Sequence, residues 1–82
     1  MPPFHYVYIL QSIPDPPRFY TGLTSDLQAR LKKHNDGGNP STAAGKPWSI
    51  KNAFAFRDPD KAAAFERYLK SPSGRAFTRR HF

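Results

Sequence analysis

The chain of 82 residues contains no cysteine. Disulfides, thiolate zinc sites and a cysteine nucleophile are therefore all excluded. Acid is scarce too: six Asp and Glu stand against thirteen Lys and Arg, and Glu66 is the only glutamate. Long hydrophobic runs are also missing. The longest apolar stretch, Tyr6 to Leu10, is far too short to cross a bilayer. The start, Met1-Pro2-Pro3-Phe4-His5, lacks the charged residues and apolar run of a signal peptide. A small domain without covalent staples fits the cytoplasm better than a secreted setting. The expectation is one soluble domain over residues 1–82, with no membrane partner.

What is abundant is positive charge, a formal +7, and it is unevenly placed. Residues 1–41 hold four Lys and Arg against three Asp, whereas residues 42–82 hold nine against Asp58, Asp60 and Glu66. Such a field attracts polyanions and speeds their encounter, less so as salt rises. Nucleic acid is the leading partner, ahead of an anionic membrane surface. The plain alternative is a basic protein that is simply well solvated.

His5 to Gln11 is rich in β-branched and aromatic residues and reads as a strand. Ile13-Pro14-Asp15-Pro16-Pro17 forces a turn, and Arg18 to Thr24 resumes strand character, so an antiparallel hairpin with a longer loop is expected. Ser25 is placed to cap a helix, with Asp26 in its first turn and Gln28 at the capping-box position. That helix runs to about Asn35 and stops at Asp36-Gly37-Gly38. Asn39 to Pro47 reads as a small-residue, mobile loop, and Trp48 to Phe56 as a third strand. Asp58-Pro59 opens a helix reaching about Lys70. Ser71-Pro72-Ser73-Gly74 interrupts it before a short basic helix from Arg75 to His81. The order β-β-α-β-α-α predicts an α+β domain with helices flanking a small, mostly antiparallel three-stranded sheet.

On the first helix, Leu27, Leu31, Arg30 and His34 fall on one arc, so a core-facing stripe turns polar at two of its four places. Taken alone, Arg30 reads as an arginine snorkelling over the core edge, and His34 as a cap against the helix dipole. Beside Tyr20 and Gly22, Arg30 looks more like a phosphate ligand, whose planar fork suits phosphate oxygens. Glu66 flanks the stripe Ala62, Phe65 and Leu69, and on spacing it is either an i,i+4 partner for Lys70 or a metal ligand. Tyr8 and Tyr20 read as packing residues, unless a guanidinium and a metal favour the phenolate or polarise a bound water. Phenols, a guanidinium, an imidazole and one carboxylate on a basic domain suit phosphodiester chemistry, provided they converge.

In this order the chain resembles a GIY-YIG nuclease domain. Tyr6-Val7-Tyr8 stands at its first triplet and Tyr20-Thr21-Gly22 at its second. Leu27-Gln28-Ala29-Arg30-Leu31 with His34-Asn35 resembles the helix carrying the family's arginine. Phe65-Glu66-Arg67-Tyr68-Leu69-Lys70-Ser71 resembles the helix carrying its glutamate. The likeness runs from Tyr6 to Phe82, closest to short single-domain members related to the nuclease domain of the bacterial excision-repair incision subunit.

The resemblance implies an endonuclease that hydrolyses DNA phosphodiesters with one divalent ion, Mg²⁺ or Mn²⁺, held by Glu66. It implies Tyr20 as base or water-orienting group, Tyr8 in support, Arg30 on the scissile phosphate and His34 assisting from the same helix face. DNA repair, or processing of branched or single-stranded DNA, is the expected setting. Two departures stand out: Tyr6 occupies the glycine place of the first triplet, and Leu23 replaces a lysine after the second. Target choice is then low or supplied by a protein partner. The alternatives are a nucleic-acid-binding module with the same fold and little catalysis, or an RNA-associated protein that stacks bases on Tyr8 and Tyr20.

Overall fold

In the computed structural model, which describes residues 4–82, the first period-two segment forms β1 (His5–Ser12) and the second returns antiparallel as β2 (Phe19–Thr24). The proline-rich connection closes on the strand ends. Ser12 N–H donates to Arg18 O at 2.8 Å, and Arg18 N–H donates to Ser12 Oγ at 2.6 Å. The third strand, β3 (Trp48–Phe56), pairs with the other edge of β1, so the sheet is antiparallel throughout in the order β2-β1-β3. The helices are α1 (Leu27–Asn35), α2 (Pro40–Ala43), α3 (Pro59–Lys70) and α4 (Pro72–His81). This is the expected α+β architecture, with the short α2 added.

Because side chains alternate across a strand, the register divides the sheet into two faces. Val7 and Ile9 lie on one face with Phe54 and Phe56, packed against Ala62, Phe65 and Leu69 of α3 and against Phe77 and Phe82. Tyr8, Leu10 and Trp48 lie on the other with Tyr20 and Ile50, covered by Leu27 and Leu31 of α1. A three-stranded sheet needs such layers, since each fully buried Leu, Ile or Val contributes about 1.5–3 kcal/mol relative to exposure. The sheet also carries one irregularity. Ile9 pairs with Asn52 but Leu10 pairs with Ile50, so Lys51 is an extra residue in β3. At such a bulge two successive side chains fall on one face, here Lys51 and Asn52 on the face of Ile9.

Three local expectations are corrected. The cap of α1 is Asp26, whose carboxylate accepts from Ala29 N–H at 3.1 Å, while Thr24 Oγ1 accepts from Asp26 N–H; the helix thus starts one residue later than a Ser25 cap requires. The segment from Asn39 is not a loop throughout. Asn39 caps α2, Thr42 is buried, and Trp48 Nε1–H donates to Thr42 O at 2.8 Å. Finally, Ser71-Pro72-Ser73-Gly74 opens α4 instead of interrupting. Ser71 Oγ accepts from Gly74 N–H, and Pro72 occupies the first turn, where its missing N–H costs nothing.

Candidate active site

Strand register makes the first contact of the site. Tyr8 lies directly opposite Gly22, and its ring lies across the glycine. A Cβ on Gly22 would overlap the Tyr8 hydroxyl and its ring carbon, so the glycine of the second triplet is there to admit the phenol of the first. Tyr20 is opposite Leu10 on the same face, with its ring centroid 6.4 Å from that of Tyr8. From α1, His34 enters beneath both rings, 6.0 Å from Tyr8 and 4.9 Å from Tyr20 between centroids.

His34 is 0 % exposed, which overturns its reading as a cap at the helix end. The last turn is closed instead by the backbone: Gly37, at φ +78°, donates its N–H to His34 O, a conformation that suits glycine. The imidazole is fully engaged by Tyr8 OH at Nε2, 3.0 Å, and by Thr42 Oγ1 at Nδ1, 2.7 Å. Thr42 Oγ1 also lies 3.3 Å from Asn39 O, to which only a hydroxyl can donate. With its proton directed there, Thr42 accepts from His34 Nδ1–H. Nε2 is then the bare nitrogen and accepts from the Tyr8 hydroxyl, a tautomer assigned from these partners. The chain thus runs Tyr8 to His34 to Thr42 to Asn39, all donating in one direction.

Charge sets the protonation states. Burial first, and then the positive charges of Arg30 and Lys33, hold His34 below the ordinary imidazole value. Burial likewise raises the Tyr8 phenol above its ordinary value, with the Tyr20 and Glu66 charges acting in the same direction, and outweighs the neighbouring Arg30 guanidinium. Tyr8 is therefore a neutral phenol at neutral pH.

The structure brings Tyr8, Tyr20 and His34 into contact and sets Arg30, one turn before His34, beside the Tyr8 phenol. Arg30 is half-buried and has no carboxylate partner among the described residues. Its snorkelling reading accounts for the stem but leaves the head beside the Tyr8 phenol, free for an anion. The Tyr20 hydroxyl has no hydrogen-bond partner among the described residues, yet the only buried unpaired side-chain atom there is Asn52 Oδ1. The Tyr20 hydroxyl is therefore open to solvent. Glu66 comes from α3 and acts on Tyr8 through its charge, without a hydrogen bond to it. Its carboxylate, 21 % exposed, pairs with Lys70 Nζ at 3.1 Å, so the i,i+4 reading is realised.

Sequence reasoning missed Thr42 and Asn39, which fix the tautomer of His34. The only available signal was the N-cap pattern Asn39-Pro40, because a buried threonine has no periodicity of its own in so short a helix. Of the two departures, Leu23 packs on the core beside α3, while Tyr6 pairs with Thr24 on the face of Tyr8.

The GIY-YIG catalytic domain matches residues 4–80. The chain is 37% identical over 78 residues to the structure-specific endonuclease subunit SLX1 of Debaryomyces hansenii, covering 87% of this chain and 22% of that protein. It is 35% identical over 72 residues to a UPF0213 protein of Halalkalibacterium halodurans, covering 87% of this chain and 74% of that one. A UPF0213 protein of Bacillus velezensis is 37% identical over 67 residues, with 80% and 66% covered. The chain spans about a fifth of the length of the SLX1 relative. No solved structure matches significantly. The paired triplets on β1 and β2, the Arg30 and His34 helix and the glutamate of α3 all fall within the matched residues, and the chain belongs to the GIY-YIG catalytic-domain family.

Proposed function

We propose that this domain is a divalent-metal-dependent endonuclease that hydrolyses DNA phosphodiester bonds, in repair or in processing of branched or single-stranded DNA. The observation that carries the reading is Arg30, a half-buried guanidinium without an acid partner among the described residues, set against a phenol and imidazole cluster. A scissile phosphate supplies the missing anion, in a site where a bidentate guanidinium is stronger than in water. Tyr20, its hydroxyl free, orients the attacking water or, as the phenolate, takes its proton. Tyr8 supports it, and the bare Nε2 of His34 receives the Tyr8 proton if that phenol takes one from water. The SLX1 relative is a subunit of a structure-specific endonuclease, which suggests a structure-specific substrate and a protein partner here too.

With Glu66 as its one carboxylate ligand from the protein, a Mg²⁺ or Mn²⁺ ion would sit in an open site rather than a closed one. Among the described residues no group of three or more His, Cys, Asp or Glu could hold a metal. One carboxylate completed by substrate phosphate and water is an ordinary arrangement for Mg²⁺, and Glu66 is the acid that stands at the cluster. Bound there, the ion supplies stabilisation of the leaving oxygen and neutralisation of developing charge. A retained scaffold used only for recognition is favoured by one observation, the engagement of Glu66 by Lys70.

The test is cleavage of supercoiled, branched and single-stranded DNA by wild type and Glu66→Ala with Mg²⁺, Mn²⁺ or EDTA. Metal-dependent cutting that is lost in the variant is the expected result. Binding without cutting, equal in both proteins, would replace the enzyme with a recognition module. Tyr20→Phe is expected to lower the rate at least about 100-fold, the scale of a general-base contribution, with the melting temperature unchanged. Undiminished turnover would reassign the water-orienting role.

A further inference from the structure

The α3 and α4 side of the sheet holds a groove of about 730 Å³, of whose lining the reaction above uses only Tyr20. Its charged lining consists of Lys51, Lys70, Arg75 and Arg79, and no acidic side chain lines it. Only Lys70 has a carboxylate partner among the described residues, Glu66. Four of the nine cations in the second half of the chain therefore converge on one place. The bulge in β3 contributes directly. It turns Lys51 to this face, where its Nζ stands 4.8 Å from the ring centroid of Phe19 on β2. Phe19 is 55 % exposed, a large apolar ring that the core does not use.

The groove is continuous with the candidate active site. Tyr20 belongs to both, and Lys70 lines the groove while pairing with Glu66. We propose that this groove holds the single-stranded arm of a DNA substrate next to the scissile phosphate. In this arrangement Phe19 stacks on a base, and Lys51, Arg75 and Arg79 neutralise successive phosphates. Charge complementarity selects a polyanion, and an exposed aromatic beside cations is the usual platform for unpaired bases. A duplex keeps its base faces stacked inside and has no use for that ring. The inference rests on the nuclease reading for its substrate, and it adds to that reading how a branch or flap is held.

Binding in EDTA tests the groove apart from catalysis. A short labelled single strand and the matching blunt duplex are titrated by anisotropy against wild type, Phe19→Ala, Phe19→Leu, Arg75→Ala with Arg79→Ala, and Arg57→Ala. Arg57 is exposed and lies outside the groove, so it controls for net charge. Phe19→Ala and Phe19→Leu are each expected to weaken single-strand binding about ten-fold, the scale of one stacked base, and duplex binding far less. The double arginine variant should lower the slope of log affinity against log salt by about 0.7 per lost phosphate contact. Arg57→Ala should change little.

Equal losses from Arg57→Ala and from the double variant would overturn the groove in favour of a diffuse field. Equal losses on duplex and single strand would overturn the single-strand assignment, and unchanged binding by both Phe19 variants would overturn the stacking. Melting curves guard against misfolding, and the exposed Phe19 variants decide the matter if the double variant unfolds. Metal-dependent cleavage by the wild type together with normal binding by the groove variants sinks the groove alone. Groove-dependent binding without cleavage under any metal sinks the nuclease reading alone.

Discussion

Thr42 is the residue on which the protonation of the site turns, although it touches neither phosphate nor water in the proposed reaction. Replacing it by valine keeps the shape and removes the hydroxyl, leaving His34 Nδ1–H buried without an acceptor. Such an orphan costs about 1–3 kcal/mol, and urea unfolding should show that loss. Thr42→Ser should restore it. A positioning role makes a second demand: Thr42→Val shifts the pH dependence of cleavage, because the tautomer of His34 is no longer fixed, and the serine variant returns the profile to normal. A stability loss with an unchanged profile would reduce Thr42 to packing.

The same imidazole gives stability a direction with pH. In the unfolded chain His34 takes a proton as pH falls through about 6.5, whereas the folded chain resists until lower pH. Between those values the unfolded state holds more protons, so stability decreases as pH falls, starting near 6.5 and levelling off below the folded value. His34→Gln should flatten that part of the curve. None of this was legible in the sequence, where His34 taken alone read as a helix-end cap. Burial decided the matter, and burial came from Tyr8, Tyr20 and Thr42, residues that no helical period connects to α1.

At the scale of elements, the sequence revealed what has a period or a proline. Runs of β-branched and aromatic residues located the strands, and Asp58-Pro59 located α3, because each signal is repeated or sterically strict. The misplaced boundaries share a different cause. Ser25 and Asp26 are both good N-caps in adjacent positions, and choosing between them depends on the exit angle of β2, which bonds Thr24 to Asp26. Asp26→Ala is accordingly expected to cost about 1 kcal/mol and Ser25→Ala within about 0.5 kcal/mol, the usual range for an exposed surface change. Thermal melting of the two variants compares them directly, and equal losses would refute the cap assignment.

The segment Pro40-Ser41-Thr42-Ala43 escaped notice because four residues are too few to form a helix on propensity alone. It exists through tertiary contacts, with Trp48 donating to Thr42 O and His34 bonding its hydroxyl. The bulge at Lys51 was equally hidden, since Lys51-Asn52 carries no apolar residue whose displacement would show.

For the whole molecule, the uneven charge noted in the sequence becomes a spatial statement. The surplus of residues 42–82 gathers in part along the groove, and Arg30 from the poorer half stands at the other end of the proposed path. Four phosphate contacts, from Lys51, Arg75, Arg79 and Arg30, predict a slope of about −2.8 for log affinity against log salt on a single strand. Raising salt from about 50 to about 200 mM should therefore weaken binding roughly fifty-fold. Arg30→Ala should lower the slope by about 0.7 and also depress the cleavage rate, because it is the one of the four that the proposed reaction sets on the scissile phosphate. In the proposed path the remaining three cations hold the strand at a distance from the bond that breaks. Their loss should raise the DNA concentration needed for half-maximal rate more than it lowers the rate at saturation. Anisotropy across salt, paired with saturation kinetics, separates these contributions. A slope near zero would mean that the basic surface is a solvating one, and that the substrate is recognised by something other than its phosphates.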